Sequence, residues 1–271
     1  MKYCVYYSPK AKSSAYEDAD ELIILYNKIN KDFSNILNNY SEKAIILDIA
    51  AEERLDLLDA EIWHSFAQTY PNIKIRLPRN FTYANEKIFE KILELKIPFF
   101  FDINAYSWDT LYNLLYYSPT DIYITQELGF ELDKIAEVLH EKNIKIRVYP
   151  NVAQAGGKNI PALKNFFIRP EDIPYYEPFV DVCEFYGNID KSITYLRIYK
   201  KDQKWFGQIK EIIIGYKGEL DSRFILPAFA QTRVKCGKRC LKGRNCHMCE
   251  RIEEAAETLK ENNLLIKNKK S

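Results

Sequence analysis

Glycine is scarce in this 271-residue chain, with nine in all. That argues against long flexible linkers, and no glycine-rich loop able to cradle a phosphate is present. Histidine is scarcer still, at three. His64 and His140 fall within predicted helices, away from strand ends, so no histidine-based hydrolytic triad is expected. The Gly-x-Ser-x-Gly and His-Glu-x-x-His signatures are both missing. No apolar run approaches the roughly 18 residues of a membrane-spanning helix, and Met1–Tyr7 is too short and too early for a signal-peptide apolar region. An excess of one charge is missing as well. Lys and Arg number 39 against 38 Asp and Glu, a net charge of +1, which excludes a globally basic nucleic-acid binder. A cytoplasmic, reducing compartment is the expectation. There, clustered cysteines are more often metal ligands than disulfides.

What is present is an ordinary globular balance of 47% apolar and 28% charged residues, with tyrosine abundant at 20. The first 187 residues alternate short apolar runs with longer helix-like segments, the rhythm of repeated βα units. Strands are predicted at Lys2–Tyr7, Lys43–Ile49, Ile73–Leu77, Pro98–Ile103, Asp121–Thr125, Lys145–Tyr149, Phe166–Ile168 and Val180–Phe185. Helices are predicted at Asp18–Tyr40, Ala60–Thr69, Asn85–Leu95, Trp108–Tyr117 and Glu131–Lys142, with a short entry at Glu171–Tyr176. Near-continuous apolar strands suit a sheet covered on both faces. The count predicts an α/β fold, a closed (β/α)8 TIM barrel over 1–187, with an open doubly wound sheet as the alternative. Residues 188–271 read as a C-terminal extension: helix-like at Thr194–Tyr199 and Trp205–Tyr216, then Phe224–Arg233, then an amphipathic helix at Glu250–Asn262.

That extension carries Cys236, Cys240, Cys246 and Cys249, four of six cysteines, separated by three, five and two residues. Lys235, Lys238, Arg239, Lys242 and Arg244 are interleaved. Thiolates around a metal carry negative charge, which nearby cations offset while lowering the thiol pKa values. Spacing alone leaves two metal assignments open: a four-thiolate zinc knuckle or a [4Fe–4S] cluster. His247, next to Cys246, is the minor candidate ligand. With Arg233 and Arg251 the basic residues form one local positive patch, either an RNA contact or simple charge balance for the thiolates. Cys4 and Cys183, on the first and eighth predicted strands, become neighbours if the barrel closes. They read as small core residues or, alternatively, as a dithiol pair or an added ligand.

Phe167-Ile-Arg-Pro-Glu-Asp-Ile-Pro-Tyr-Tyr-Glu177, Val180-Asp-Val-Cys-Glu-Phe-Tyr-Gly187, and Trp205-Phe-Gly-Gln-Ile-Lys-Glu-Ile212 followed by the cysteine group resemble the collagenase-like peptidase family (peptidase U-32). The likeness covers roughly residues 120–255. It implies a TIM barrel and, despite the family name, relatives that serve hydroxylation of RNA or of ubiquinone precursors, several holding an iron–sulfur cluster. Two departures stand out. The family's Ala-Gly-Arg ending after the last strand is replaced by Phe185-Tyr-Gly187, and the cysteines that many members carry after the sixth strand are replaced by Val152-Ala-Gln-Ala-Gly-Gly157.

In a TIM barrel, polar residues at the C-terminal strand ends face the active-site mouth. That selects Asp48, Arg76, Arg79, Asp102, Asn104, Gln126, Glu127, Asn151, Gln154, Arg169, Glu171 and Glu184. Asp102, Arg169 and Glu184 are the leading catalytic candidates, because a charge on or just beyond an apolar strand needs a partner or a ligand. Arginine forks in such a ring suit carboxylate or phosphate. The expected function is a U-32-like, iron–sulfur-dependent modification enzyme of hydroxylation type, or an accessory factor. Its expected substrate is RNA or a small anionic or aromatic molecule, with a protein partner also conceivable. A non-catalytic binding or scaffold protein with structural zinc is the alternative, and a true peptidase ranks third for want of a protease constellation.

Overall fold

A computed structural model describes residues 1–26, 33–49, 55–125, 128–153, 163, 165–201, 204–216, 218–226, 228–237 and 246–268. Its centre is one all-parallel sheet of nine strands in the order β5-β4-β3-β2-β1-β9-β8-β7-β6. The strands are β1 (Lys2–Tyr6), β2 (Glu21–Leu25), β3 (Ala44–Asp48), β4 (Ile73–Leu77), β5 (Phe99–Phe101), β6 (Asn104–Ala105), β7 (Asp121–Ile124), β8 (Lys145–Val148) and β9 (Val182–Glu184). Every strand lies beside the one before it in sequence, except across the β5–β6 break, and the first pairs with the last. A doubly wound sheet reverses direction partway through its order, which this one does not. The architecture is TIM-barrel-like.

The sheet is strongly curled. β4 and β7 stand six places apart in the strand order, which in a flat sheet would separate them by roughly 29 Å at ~4.8 Å per strand. Yet Lys74 Nζ on β4 lies 2.7 Å from Asp121 Oδ2 on β7. The inner face therefore meets itself. The two edges, β5 and β6, are consecutive pieces of one segment. Thr120 N, just before β7, donates to Phe99 O of β5 at 2.8 Å.

Two expectations are corrected here. Asp18–Tyr40 is not a helix throughout: Glu21–Leu25 is β2, and the described helix begins at Phe33 (α1, Phe33–Asn39). Four consecutive buried residues, Glu21 to Ile24, sit between β1 and β3 and are covered on both faces. A short apolar run fits either periodicity, and the neighbouring strands decide it. Conversely, Phe166–Ile168 is no strand of the sheet. β8 pairs directly with β9, Arg147 opposite Val182, which leaves no slot between them. The predicted Pro98–Ile103 strand is narrowed to β5, and β6 follows just beyond its expected end, so nine strands replace the eight expected.

Helices α2 (Leu57–Thr69), α4 (Glu86–Glu94), α5 (Trp108–Leu115) and α6 (Leu132–Glu141) occupy the predicted places. The Asp56 carboxylate caps α2, accepting from Leu58 N and Asp59 N, while the Asp59 side chain accepts from Asp56 N at 2.7 Å. Three successive turns after α4, α5 and α6 place Lys96, Ser118 and Asn143 at positive φ. Glycine is the usual residue there, and each substitute costs roughly 1 kcal/mol. Glycine's scarcity thus has a local cost that packing covers: Ile97 N and Ile144 N still close back onto Ile92 O and Leu139 O at 3.1 and 2.9 Å.

The larger apolar cluster lies between sheet and helices. It includes Trp63, Phe89, Ile135 and Phe185, and also Leu196, Tyr199, Ile212 and Phe229 from beyond residue 187. α8 (Ile189–Lys201) packs on β1, where Tyr199 lies tilted against Phe185 and donates to Ile168 O at 2.6 Å. Of Trp205–Tyr216 only α9 (Ile209–Ile212) is helical, followed later by α10 (Ala228–Val234) and α11 (Met248–Asn268).

Candidate functional site

Alternation along the strands turns every second residue inward. A small cluster of Cys4, Ile23, Ile46, Phe100, Tyr123, Tyr149 and Val182 lies there, and between these apolar groups sits a chain of charges. Deepest are Glu21, Lys74, Asp121 and Arg147. Arg147 Nη1 donates to Glu21 Oε2 at 2.7 Å and Asp121 Oδ1 at 3.0 Å, and Lys74 Nζ holds the other side of Asp121. Burial alone would raise the Asp121 pKa, but Arg147 and Lys74 outweigh it and the net shift is downward.

Nearer the C-terminal strand ends, Arg76 grips Asp48 with both arms of a fork, Nε to Oδ1 at 2.8 Å and Nη2 to Oδ2 at 2.6 Å. Its Nη1 donates to Glu184 Oε1 at 2.9 Å and its Nη2 to Tyr6 OH at 2.7 Å. Tyr123 OH donates to Glu184 Oε2 at 2.5 Å, and Arg147 Nη2 reaches the same oxygen at 3.4 Å, joining the two tiers. Burial, then the Glu184 charge, push the Tyr123 phenol far up in pKa, so it remains a donor. Burial works against the charge on Arg76, but Tyr123, Glu184 and Asp48 override it. Arg76 and Glu184 are satisfied by protein, so neither guanidinium nor carboxylate is idle.

Asp102 differs. It follows β5 at the rim, with its backbone N bonded to Leu77 O at 2.8 Å, and it is exposed. Its pKa is nevertheless raised. Protein crowding the carboxyl contributes most; Glu184 and Asp48 add to the shift and Arg76 opposes it. Asp102 lines a cleft of about 980 Å³ with Arg79, Asn104 and Thr125. Tyr83, Tyr106, Tyr112 and Tyr116, all exposed, line the same cleft. Its walls come from the segments that follow β4, β6 and β7, the end where barrel enzymes place their sites.

The structure thus unites Asp48, Arg76, Asp102 and Glu184, and brings Arg79 and Asn104 to the adjoining cleft. It places Arg169 elsewhere. That side chain is fully buried in a second cluster, forked onto Asp172 at 2.8 and 2.7 Å and bonded to Ser222 O at 3.0 Å, with Glu171 Oε1 at 3.1 Å. Glu171 also accepts from Ser222 Oγ. Asn151 is a buried clamp, exchanging hydrogen bonds with both backbone groups of Tyr186 at 2.8 and 3.0 Å. Gln126, Glu127 and Gln154 lie outside the described residues. Tyr6, Tyr123, Glu21 and Arg147 were missed by sequence reasoning. Their signal was the inward register alone: Tyr6 ends β1, Tyr123 and Arg147 stand one residue before the ends of β7 and β8, and Glu21 opens β2.

Cys4 and Cys183 are buried free thiols on paired strands. The register sets Cys183 opposite Tyr3 and Cys4 opposite Glu184, so adjacent pairs point to opposite faces. Cys4 belongs to the inner cluster and Cys183 to the outer one, which removes the dithiol pairing and leaves both as small core residues. Cys236, Cys246 and Cys249 form no disulfide. Cys240, Lys238, Arg239, Lys242 and Arg244 lie outside the described residues. Among the described residues, no group of three or more His, Cys, Asp and Glu side chains is gathered to hold a metal ion. Arg233 is removed from the surface patch: it is buried against the rings of Phe130, Phe167 and Phe229 at 4.6 to 5.1 Å.

Fold and cleft define a TIM-barrel-like α/β protein with an ion-paired interior and a polar rim. No family model matches the chain. It is similar to an uncharacterized protease of Methanocaldococcus jannaschii, 22% identical over 198 residues, a match covering 56% of this chain and 58% of that protein. The chain therefore spans less than two thirds of that relative's length. The likeness is consistent with the resemblance to the U-32 peptidases. Among the described residues no helix is long and apolar enough to cross a membrane.

Proposed function

We propose that the chain is a U-32-like enzyme that modifies a substrate with an aromatic group at the tyrosine-lined mouth, with Asp102 as the proton-handling group. Asp102 carries the reading: an exposed carboxyl of raised pKa, at the strand ends, opening onto a cleft large enough for a small molecule. A group so shifted can hold a proton nearer neutral pH than an ordinary carboxylate and pass it to a substrate oxygen or nitrogen. Asp48 and Glu184 keep the shift in place through their charge, and Arg76 fixes both of them. In the same reading the sheet closes into a barrel across residues 102–103, which the β5–Thr120 bond and the charge contacts across the interior support.

The cofactor in this proposal is a [4Fe–4S] cluster on Cys236, Cys240, Cys246 and Cys249. The support is four soft donors in one short segment, the three described ones in no disulfide. When bound, such a cluster supplies one-electron transfer. RNA is a candidate macromolecular substrate through the basic residues of that segment. Peptide hydrolysis, the activity in the relative's name, has less support: His140 pairs with Asp181 at 3.0 Å at the opposite, N-terminal strand ends.

The test is oxygen-free purification with iron, sulfide and visible absorption measured together. The expected result is iron and sulfide in equal amounts, about four of each per chain, with Cys240→Ser losing both. A colourless protein lacking them removes the cluster. Stoichiometric zinc retained in air, with unfolding on chelation, moves the assignment to a scaffold with structural zinc, a reading favoured by the saturation of Arg76 and Glu184.

A further inference from the structure

Four of the five tyrosines that are large exposed residues among those described, Tyr83, Tyr106, Tyr112 and Tyr116, line one cleft, and Tyr186 is the fifth. Tyr83 and Tyr116 are 89% and 84% exposed, so core packing does not explain their position. Scattered exposed aromatics need no explanation, but a cluster around a concavity does. The rings differ in origin: Tyr83 is on α3 (Phe81–Ala84), Tyr106 follows β6, and Tyr112 and Tyr116 belong to α5 and its end.

The charges beside these rings set the ligand's sign. Three carboxylates, Asp48, Asp102 and Glu184, lie close enough to feel one another's charge, and of these Asp102 lines the cleft. Arg76 is the cation among them, already forked onto Asp48 and bonded to Glu184. It has no donor pair left to offer a carboxylate or phosphate. Arg147 is likewise committed to Glu21, Asp121 and Glu184, and Arg169 to Asp172 and Ser222. Arg79 is the cation lining the cleft itself, and it is exposed. An anionic ligand would thus meet one solvated arginine, Arg79, beside the Asp102 carboxylate, with Asp48 and Glu184 already held by Arg76. A cationic one would meet ring faces, whose quadrupoles attract positive charge, and a carboxylate at the inner end.

We infer that the cleft receives an organic cation, an amine or alkylammonium group carried on a planar body, with the ammonium at Asp102 and the body against Tyr83, Tyr106, Tyr112 and Tyr116. This rests on the reading that the cleft is the substrate site, and it reverses the anionic preference expected from a ring of arginines. The arginines near the mouth are there to neutralise the protein's own acids. A primary or methylated amine on an aromatic or heteroaromatic ring is the chemical class that satisfies both halves of the cleft.

The experiment uses the full chain and three probes of one size and shape: benzylamine, benzyl alcohol and benzoate. Binding is followed by calorimetry at neutral pH and moderate salt. Benzylamine is expected to bind roughly tenfold more tightly than benzyl alcohol, the size of a charge-assisted hydrogen bond to one carboxylate, with benzoate weaker still. Asp102→Asn is expected to erase the difference between amine and alcohol. Tyr116→Ala, at an exposed position that leaves folding untouched, is expected to weaken both by several fold. Benzoate binding best, or the amine preference surviving Asp102→Asn, overturns the inference while leaving the cleft as a binding site. If none of the three binds, or binding is indifferent to Tyr116→Ala, the reading of the cleft as the substrate site fails with it.

Discussion

Two buried arginine clusters, alike in composition, do different work in this molecule. Inside the curled sheet, Arg147 and Arg76 cross-link β2, β3, β4, β7, β8 and β9 through Glu21, Asp48, Asp121 and Glu184. Outside it, Arg169 ties the turn at Asp172 to Ser222, across more than fifty residues of chain. Both carry a forked arginine on a carboxylate, and in both the guanidinium is buried. Only the first continues to an exposed acid, Asp102, and from there to a cleft. A charge near a strand end is therefore a site candidate only when its side chain shares the inward register. Position along the sequence does not distinguish the two cases.

Arg147→Met tests the first cluster hardest. It strips Glu21 of its guanidinium and leaves a charge inside the sheet, so a loss of about 3–5 kcal/mol is expected in urea unfolding. A loss under about 1 kcal/mol would mean the inner tier is hydrated and the contrast is false. Arg169→Lys comes next. Lysine cannot reproduce the fork onto Asp172, and about 2 kcal/mol of stability should disappear while probe binding in the cleft stays unchanged. Any change in binding would place Arg169 back in the site. The smallest effect is in the pH dependence of Asp102. Its folded pKa is raised above the ordinary 3.8, so the folded state holds the proton longer than the unfolded one. Ionisation then costs stability as pH climbs from the ordinary value through the raised one, and nothing below it. Asp102→Asn should match the wild type at low pH and become slightly the more stable above that window, read as melting temperature against pH. A wild type that gains on the variant with rising pH would reverse the sign and undo the proposed role.

Much of the fold could be read without coordinates, because long βα units repeat and helices α4, α5 and α6 have clear amphipathic spacing. The errors came from short pieces. Glu21–Leu25 satisfied a helical pattern because four apolar or paired residues in a row satisfy any pattern, and Phe166–Ile168 looked like a strand because it is apolar and buried. Asp102 and Glu184 were accessible as charges on apolar strands. Tyr123 and Arg147 were not, since nothing local says that a tyrosine or arginine amid isoleucines will find a carboxylate on a distant strand.

By itself the sequence determined the parallel α/β class, the absence of a protease constellation, the grouping of four thiols and the helices of the repeating units. These depend on local period, composition and spacing, which act over a few residues. Tertiary structure alone decided that Lys74 reaches Asp121, that Cys4 and Cys183 face apart, that the mouth arginines are spent on the protein's own acids, and that four tyrosines share one cleft with Asp102. Each of these follows from curling a sheet until residues of its inner face meet across the interior, and curl comes from strand order and register, which no single stretch of chain encodes.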